Sequence, residues 1–109
     1  MKLPKRVRIG PFVYRISDDP VDYNAAAAKA ECFLWGEIHY GPQDIVLNPD
    51  QSEAHKRYAL LHEIMHGCYH MTSRGGDTEE ESILSLAGPL LGVLRDNPDL
   101  IAYLTAVDA

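Results

Sequence analysis

Residues 50–68 read DQSEAHKRYALLHEIMHGC. Pro49 cannot extend a helix backwards, Asp50 can cap one, and Glu53 stands three residues on as in a capping box, so a helix is predicted to start near Asp50. Ala54, Tyr58, Leu61, Met65 and Cys68 recur at steps of four and three, an apolar stripe expected to face the core. Inside this helix His62 and His66 are four residues apart, about 40° round the axis and about 6 Å along it, so both imidazoles reach one metal ion.

Zinc accepts neutral imidazole nitrogen readily, and a catalytic zinc keeps three protein ligands with a fourth position for water. Glu63, next to the first histidine, can take a proton from that water while the metal lowers its pKa and polarises a scissile carbonyl. With 5 histidines in 109 residues, a shuffled chain would show the HExxH spacing in only about one or two cases per hundred, and fewer inside a capped amphipathic helix. Reading His62 and His66 as a mere polar face leaves two histidines and an acid beside the apolar stripe unexplained. His70 would lie about 12 Å along the axis from His62 and cannot share its ion. It is expected near the helix end, on the surface or as a donor to a developing oxyanion.

Arg74-Gly75-Gly76-Asp77 breaks the chain, and Thr78 with Glu81 is expected to open another capped helix. Its predicted core stripe is Ile83, Ala87, Leu90 and Leu94, with a kink at Gly88-Pro89. Glu79, Glu80 and Glu81 begin this helix, and helical phase sets Glu79 or Glu80 at the border of the buried face. Asn97-Pro98 marks a further break, with Pro98 suited to the first turn of a last short helix.

The first half of the chain is strand-rich. Val7 to Ile9 and Phe12 to Ile16 flank Gly10-Pro11 and end at Asp18-Asp19-Pro20, while Cys32 to Tyr40 and Asp44 to Asn48 flank Gly41-Pro42-Gln43. Ala25-Ala26-Ala27-Ala28 is a local helix or loop former. Strands first and helices after predict an α+β fold in one domain, residues 1–109: a small N-terminal antiparallel sheet, the HExxH helix, then C-terminal helices.

A composition of 46% hydrophobic and 24% charged residues fits a folded globular chain. The net charge of −6 argues against a nucleic-acid partner. Residues 1–17 do hold Lys2, Lys5, Arg6, Arg8 and Arg15 with no acid, but Arg6 and Arg8 alternate with Val7 and Ile9, as on the solvated face of a strand. Nucleic-acid binding through this stretch is a minor alternative. No apolar run approaches the roughly 20 residues of a membrane span, and no apolar segment follows the basic start as in a secretory signal, so a cytoplasmic location is expected. Cys32 and Cys68 are expected to be free thiols without a chemical role.

From Ile45 to Ala87 the chain resembles the ImmA/IrrE family of gluzincin-type metallopeptidases, frequent in phages, prophages and mobile elements. The resemblance covers less than half of the chain. It rests on Ile45-Val46-Leu47-Asn48, on Arg57 through Gly67, and on Glu79-Glu80-Glu81 before Ile83 through Ala87. It implies a minimal zincin-like domain with His62, His66 and Glu80 as zinc ligands and Glu63 as the catalytic acid. After that glutamate the family commonly carries Ala then Asn, where this chain has Ile83 and Leu84. The resemblance also implies a sheet edge at Ile45–Asn48 along which a peptide lies, as in strand addition.

The expected function is zinc-dependent hydrolysis of peptide bonds in a protein or peptide substrate. The alternative is a non-hydrolytic zinc-stabilised module that binds a phage or host protein, which a closed set of four protein ligands would indicate.

Overall fold

The computed structural model describes residues 2–72 and 79–107, without the side chains of residues 79, 80 and 83–85. The order is β1 (Arg6–Ile9), β2 (Phe12–Ser17), α1 (Pro20–Ala30), β3 (Gly36–His39), β4 (Asp44–Leu47), α2 (Glu53–Thr72), α3 (Glu79–Asp96) and α4 (Pro98–Leu104). The α+β class is as expected.

The strands form one sheet in the order β1-β2-β4-β3. Gly10 has φ of +60° in the β1–β2 turn, a conformation that side-chain-bearing residues rarely adopt, so the position favours glycine. β3 and β4 are antiparallel, but β2 and β4 are parallel. The reason is α1, an element that the sequence reading left as strand end and alanine run. Asp19 caps it by accepting from Val21 N at 2.8 Å, Pro20 opens it, and Glu31 closes it at a φ of 57°. This crossover lets the second hairpin join the first in parallel.

That order corrects the expected peptide-binding edge. β4 lies between β2 and β3, so residues 45–47 have no open side; the edges are β1 and β3. Arg6 and Arg8 are exposed while Val7 and Ile9 are buried, as their alternation predicted.

α2 lies across the sheet on a face that keeps Cys68 from the predicted stripe but otherwise differs from it. Ala59, Leu60, Glu63, Ile64, Gly67 and Cys68 are buried, whereas Ala54 is exposed and Tyr58 and Met65 are 64% and 38% exposed. Two apolar lines, 58-61-65 and 60-64-68, run side by side on this helix, and periodicity alone does not choose between them. Close packing does: a Cβ on Gly67 would stand 2.7 Å from Ile9 Cδ1 and 3.1 Å from Ile38 Cδ1, so this glycine lets the backbone approach β1 and β3. Full burial of Leu60 and Ile64 on this face contributes about 1.5–3 kcal/mol each. The cap also differs. Ser52, not Asp50, accepts from His55 N at 3.1 Å, while Asp50 N donates to the Asn48 side chain at 2.8 Å.

On α3 the core face is Leu86, Leu90 and Val93, while Ala87 is exposed and Leu94 is 37% exposed. The predicted stripe is rotated by about one residue, as on α2. The Ile83 side chain and the expected Thr78 cap lie outside the described residues. The helix continues through Gly88-Pro89 to Asp96, and the break at Asn97-Pro98 is as predicted.

Asn97 does not cap α4 with its side chain. Its Oδ1 accepts from Arg8 N at 3.1 Å, and its Nδ2 donates to Arg8 O at 3.1 Å and Val93 O at 2.8 Å. Arg8 belongs to edge strand β1, so this buried amide satisfies peptide groups that face away from β2. Asn97→Ala is expected to cost about 1–3 kcal/mol, because it removes the partner of the part-buried Arg8 peptide groups and of the buried Val93 carbonyl; urea unfolding measures it, and the solvated Asp96→Ala should change stability far less.

Candidate metal centre

α2 presents its chemistry on two sides. His62 and His66 are exposed, four residues apart, with Nε2 atoms 3.1 Å from one another and rings 4.7 Å between centroids. Two imidazole nitrogens on a tetrahedral zinc, each about 2.0–2.1 Å from it, stand about 3.3 Å apart. The donor pair therefore fits a shared ion in chemistry and in spacing.

Glu63, one residue on and about 100° round the helix, is 8% exposed. The backbone N–H of Ile38 on β3 faces this carboxylate and favours its charged form. Asn48 N bonds Trp35 O at 3.0 Å, and in an antiparallel ladder the residues that pair inward alternate with those that face outward. Gly36 and Ile38 consequently turn their peptide groups to the open edge, where Glu63 meets one of them. Burial pushes the Glu63 carboxyl above the usual range, assisted by Glu37 and opposed by His62, His66 and the Ile38 N–H.

The loop before β3 is tied to this site. Asn48 Nδ2 donates to Leu34 O at 3.0 Å, and Gln51 Nε2 donates to Trp35 O at 3.0 Å. Gln51 Oε1 meets His55 Nδ1. Rings then follow one another from Trp35 through His55 and Tyr58 to His62, at centroid distances of 4.5, 5.8 and 6.2 Å. Sequence reasoning missed these neighbours, although His55 and Tyr58, seven and four residues before His62, share its helical face.

Tyr40 supports the other end. Its hydroxyl donates to His66 O at 3.4 Å, and its ring stacks on His70 at 3.7 Å. His70 thus lies beside the helix end as expected, engaged with Tyr40. Cys68 is buried and Cys32 exposed, both free; burial pushes the Cys68 thiol up, away from the reactive thiolate.

Among the described residues no third His, Cys, Asp or Glu joins the histidine pair. Glu79 and Glu80 stand at the start of α3, and their side chains lie outside the described residues, as do residues 73–78. No family model, curated protein or solved structure matches this chain.

On the other face of β3, His39 is held between Asp44 at Nδ1 and Glu37 at Nε2, beside a cleft also lined by Arg15, Asp22 and Lys29. Burial opposes the charged ring, but the bonds to Asp44 and Glu37 outweigh it and raise its pKa. A raised folded pKa gives stability that is complete below the unfolded value of about 6.5 and lost as pH rises through the folded one. The stability gap between wild type and His39→Gln is therefore expected to be largest between about pH 5 and 6.5 and to narrow at higher pH; thermal melts across that range check it, and a pH-independent gap would contradict it.

Proposed function

We propose that this chain is a zinc-dependent peptidase that cleaves protein or peptide substrates in the cytoplasm. The observation that carries the reading is the convergence of His62 Nε2 and His66 Nε2 to 3.1 Å beside a buried carboxylate that touches an open strand edge. A helix face built only for solubility has no use for two converging imidazoles next to a desolvated acid.

In this reading His62 and His66 hold the ion, with Glu80 as third ligand from the start of α3. Zinc, when bound, supplies Lewis-acid activation of a water molecule and of the scissile carbonyl. Glu63 takes the proton of the attacking water and delivers it to the amide nitrogen as the C–N bond breaks, so the amine leaves neutral. The open edge of β3 offers the peptide groups of Gly36 and the Ile38 carbonyl as backbone partners for an extended substrate. No helix among the described residues is long and apolar enough to cross a membrane.

Metal binding and turnover separate experimentally. Glu63→Gln is expected to retain zinc, measured by elemental analysis after gel filtration, and to lose cleavage by a factor of about 100 or more. His62→Ala should lose the zinc itself. Among Glu79→Gln, Glu80→Gln and Glu81→Gln, the Glu80 variant is expected to weaken zinc most in a competition titration. A Glu63→Gln protein that cleaves at the wild-type rate would overturn the mechanism, and zinc held by four protein ligands would favour a non-hydrolytic module.

A further inference from the structure

Phe33, Trp35 and Tyr58 are large apolar side chains left 64%, 47% and 64% exposed. All three line one cleft of about 330 Å³ that runs to His62 and Glu63. Single exposed rings are ordinary, but three sharing one concavity mark a binding surface. The cleft is at the small end of the range for ligand pockets, roughly 300–1,000 Å³. It suits one side chain rather than a whole ligand.

Its walls are fixed in place. The Phe33 and Trp35 rings meet edge to face with centroids 4.7 Å apart. Leu34 N donates to the Tyr23 hydroxyl at 3.3 Å, and the carbonyls of Leu34 and Trp35 accept from the Asn48 and Gln51 side chains. At Gly36 a Cβ would come 3.0 Å from Leu47 Cδ2 and 3.5 Å from Glu63 Cγ. The strand passes so close to α2 that the cleft ends directly at Glu63. Such a preformed surface binds without the cost of ordering its own loop.

The chemistry of the lining selects the occupant. Among the described residues Glu63 is its one carboxylate, and the lining holds no Lys, Arg or Asp. An acidic side chain would lose water among these rings beside Glu63 and be drawn to the ion that His62 would hold rather than into the cleft, while a basic one would engage the carboxylate that the reaction requires. An uncharged ring or branched chain gains from burial against Phe33, Trp35 and Tyr58.

We infer that this cleft is the specificity pocket of the proposed peptidase and takes a bulky apolar side chain, aromatic or large aliphatic, of a peptide lying along the β3 edge. The inference rests on the peptidase reading for the position of the cleaved bond, and its test separates the two.

Trp35 is the single tryptophan of the chain, so its fluorescence reports on this cleft alone. The zinc-loaded protein is titrated with acetyl-Ala-X-Ala-Ala-amide, where X is Phe, Leu, Ala, Lys or Asp, and the same mixtures are analysed for cleavage by mass spectrometry. The Phe and Leu peptides are expected to shift the emission to shorter wavelength and to saturate at about tenfold or more lower concentration than the Ala peptide. The Lys and Asp peptides should bind no better than Ala. Phe33→Ala and Tyr58→Ala, which keep Trp35, are expected to weaken the Phe peptide by about fivefold or more, and Tyr58→Phe to retain its binding. Ordered binding without cleavage at any metal loading would support the pocket and overturn the peptidase reading. Cleavage indifferent to X, equal binding of the Lys or Asp peptide, or no emission change with any peptide would overturn the pocket.

Discussion

The closeness with which α2 seats on the sheet governs the remaining geometry. Gly67 has no side chain to hold the helix away from Ile9 and Ile38, so Leu60 and Ile64 reach full burial. Since successive helical residues are about 100° apart, this one orientation carries Glu63 down to the β3 edge and turns His62 and His66 outward. A helix rotated to bury Tyr58 and Met65 would have moved the acid away from the strand. Packing and chemistry are thus set by the same rotation, and neither can be adjusted without the other.

The polar groups near the site are satisfied locally, by short links between adjacent elements. The Ile38 N–H faces Glu63, Gln51 joins the Trp35 carbonyl to His55, and Tyr40 reaches the His66 carbonyl. Lys56, buried on the same helix, is matched by Asp18 at 2.9 Å and by Glu53 at 3.4 Å. These bonds do more to fix side-chain orientation than to add net stability, since each replaces a bond to water. Orientation is what a pair of converging imidazoles needs.

Much of this was legible in the sequence, and the misses share a cause. The hairpin at Gly10-Pro11, the strand pair around Gly41-Pro42-Gln43, the helix around His62 and the break at Asn97-Pro98 all follow from local turn and capping chemistry. So does the convergence of His62 and His66, which depends on one helical turn. What failed were comparisons between neighbouring helix faces. On α2 and α3 two apolar lines compete, and the choice is made by Ile9, Ile38 and the rest of the sheet, far away in sequence. The burial of Glu63 and the approach of Trp35 are of the same kind. Helix α1 differs: the alanine run signals a helix or a loop, and only Asp19-Pro20, which also suits a strand end, decides that a full helix starts there. The internal position of β4 follows from this helix, because the parallel pairing depends on the crossover.

The side chain of Asn97 makes the two margins of the sheet unequal. Its carboxamide stands where a neighbouring strand would otherwise bond to Arg8, while Gly36 at the opposite margin keeps outward peptide groups. A sheet that can extend from both sides can stack copies end to end into a filament; one closed on a side has a single sticky end. Copies of this chain that met through β3 would therefore stop at a pair, and the contact would cover the groups that the proposed substrate would use. Under the proposed peptidase reading, self-association and turnover would compete for one strip of backbone.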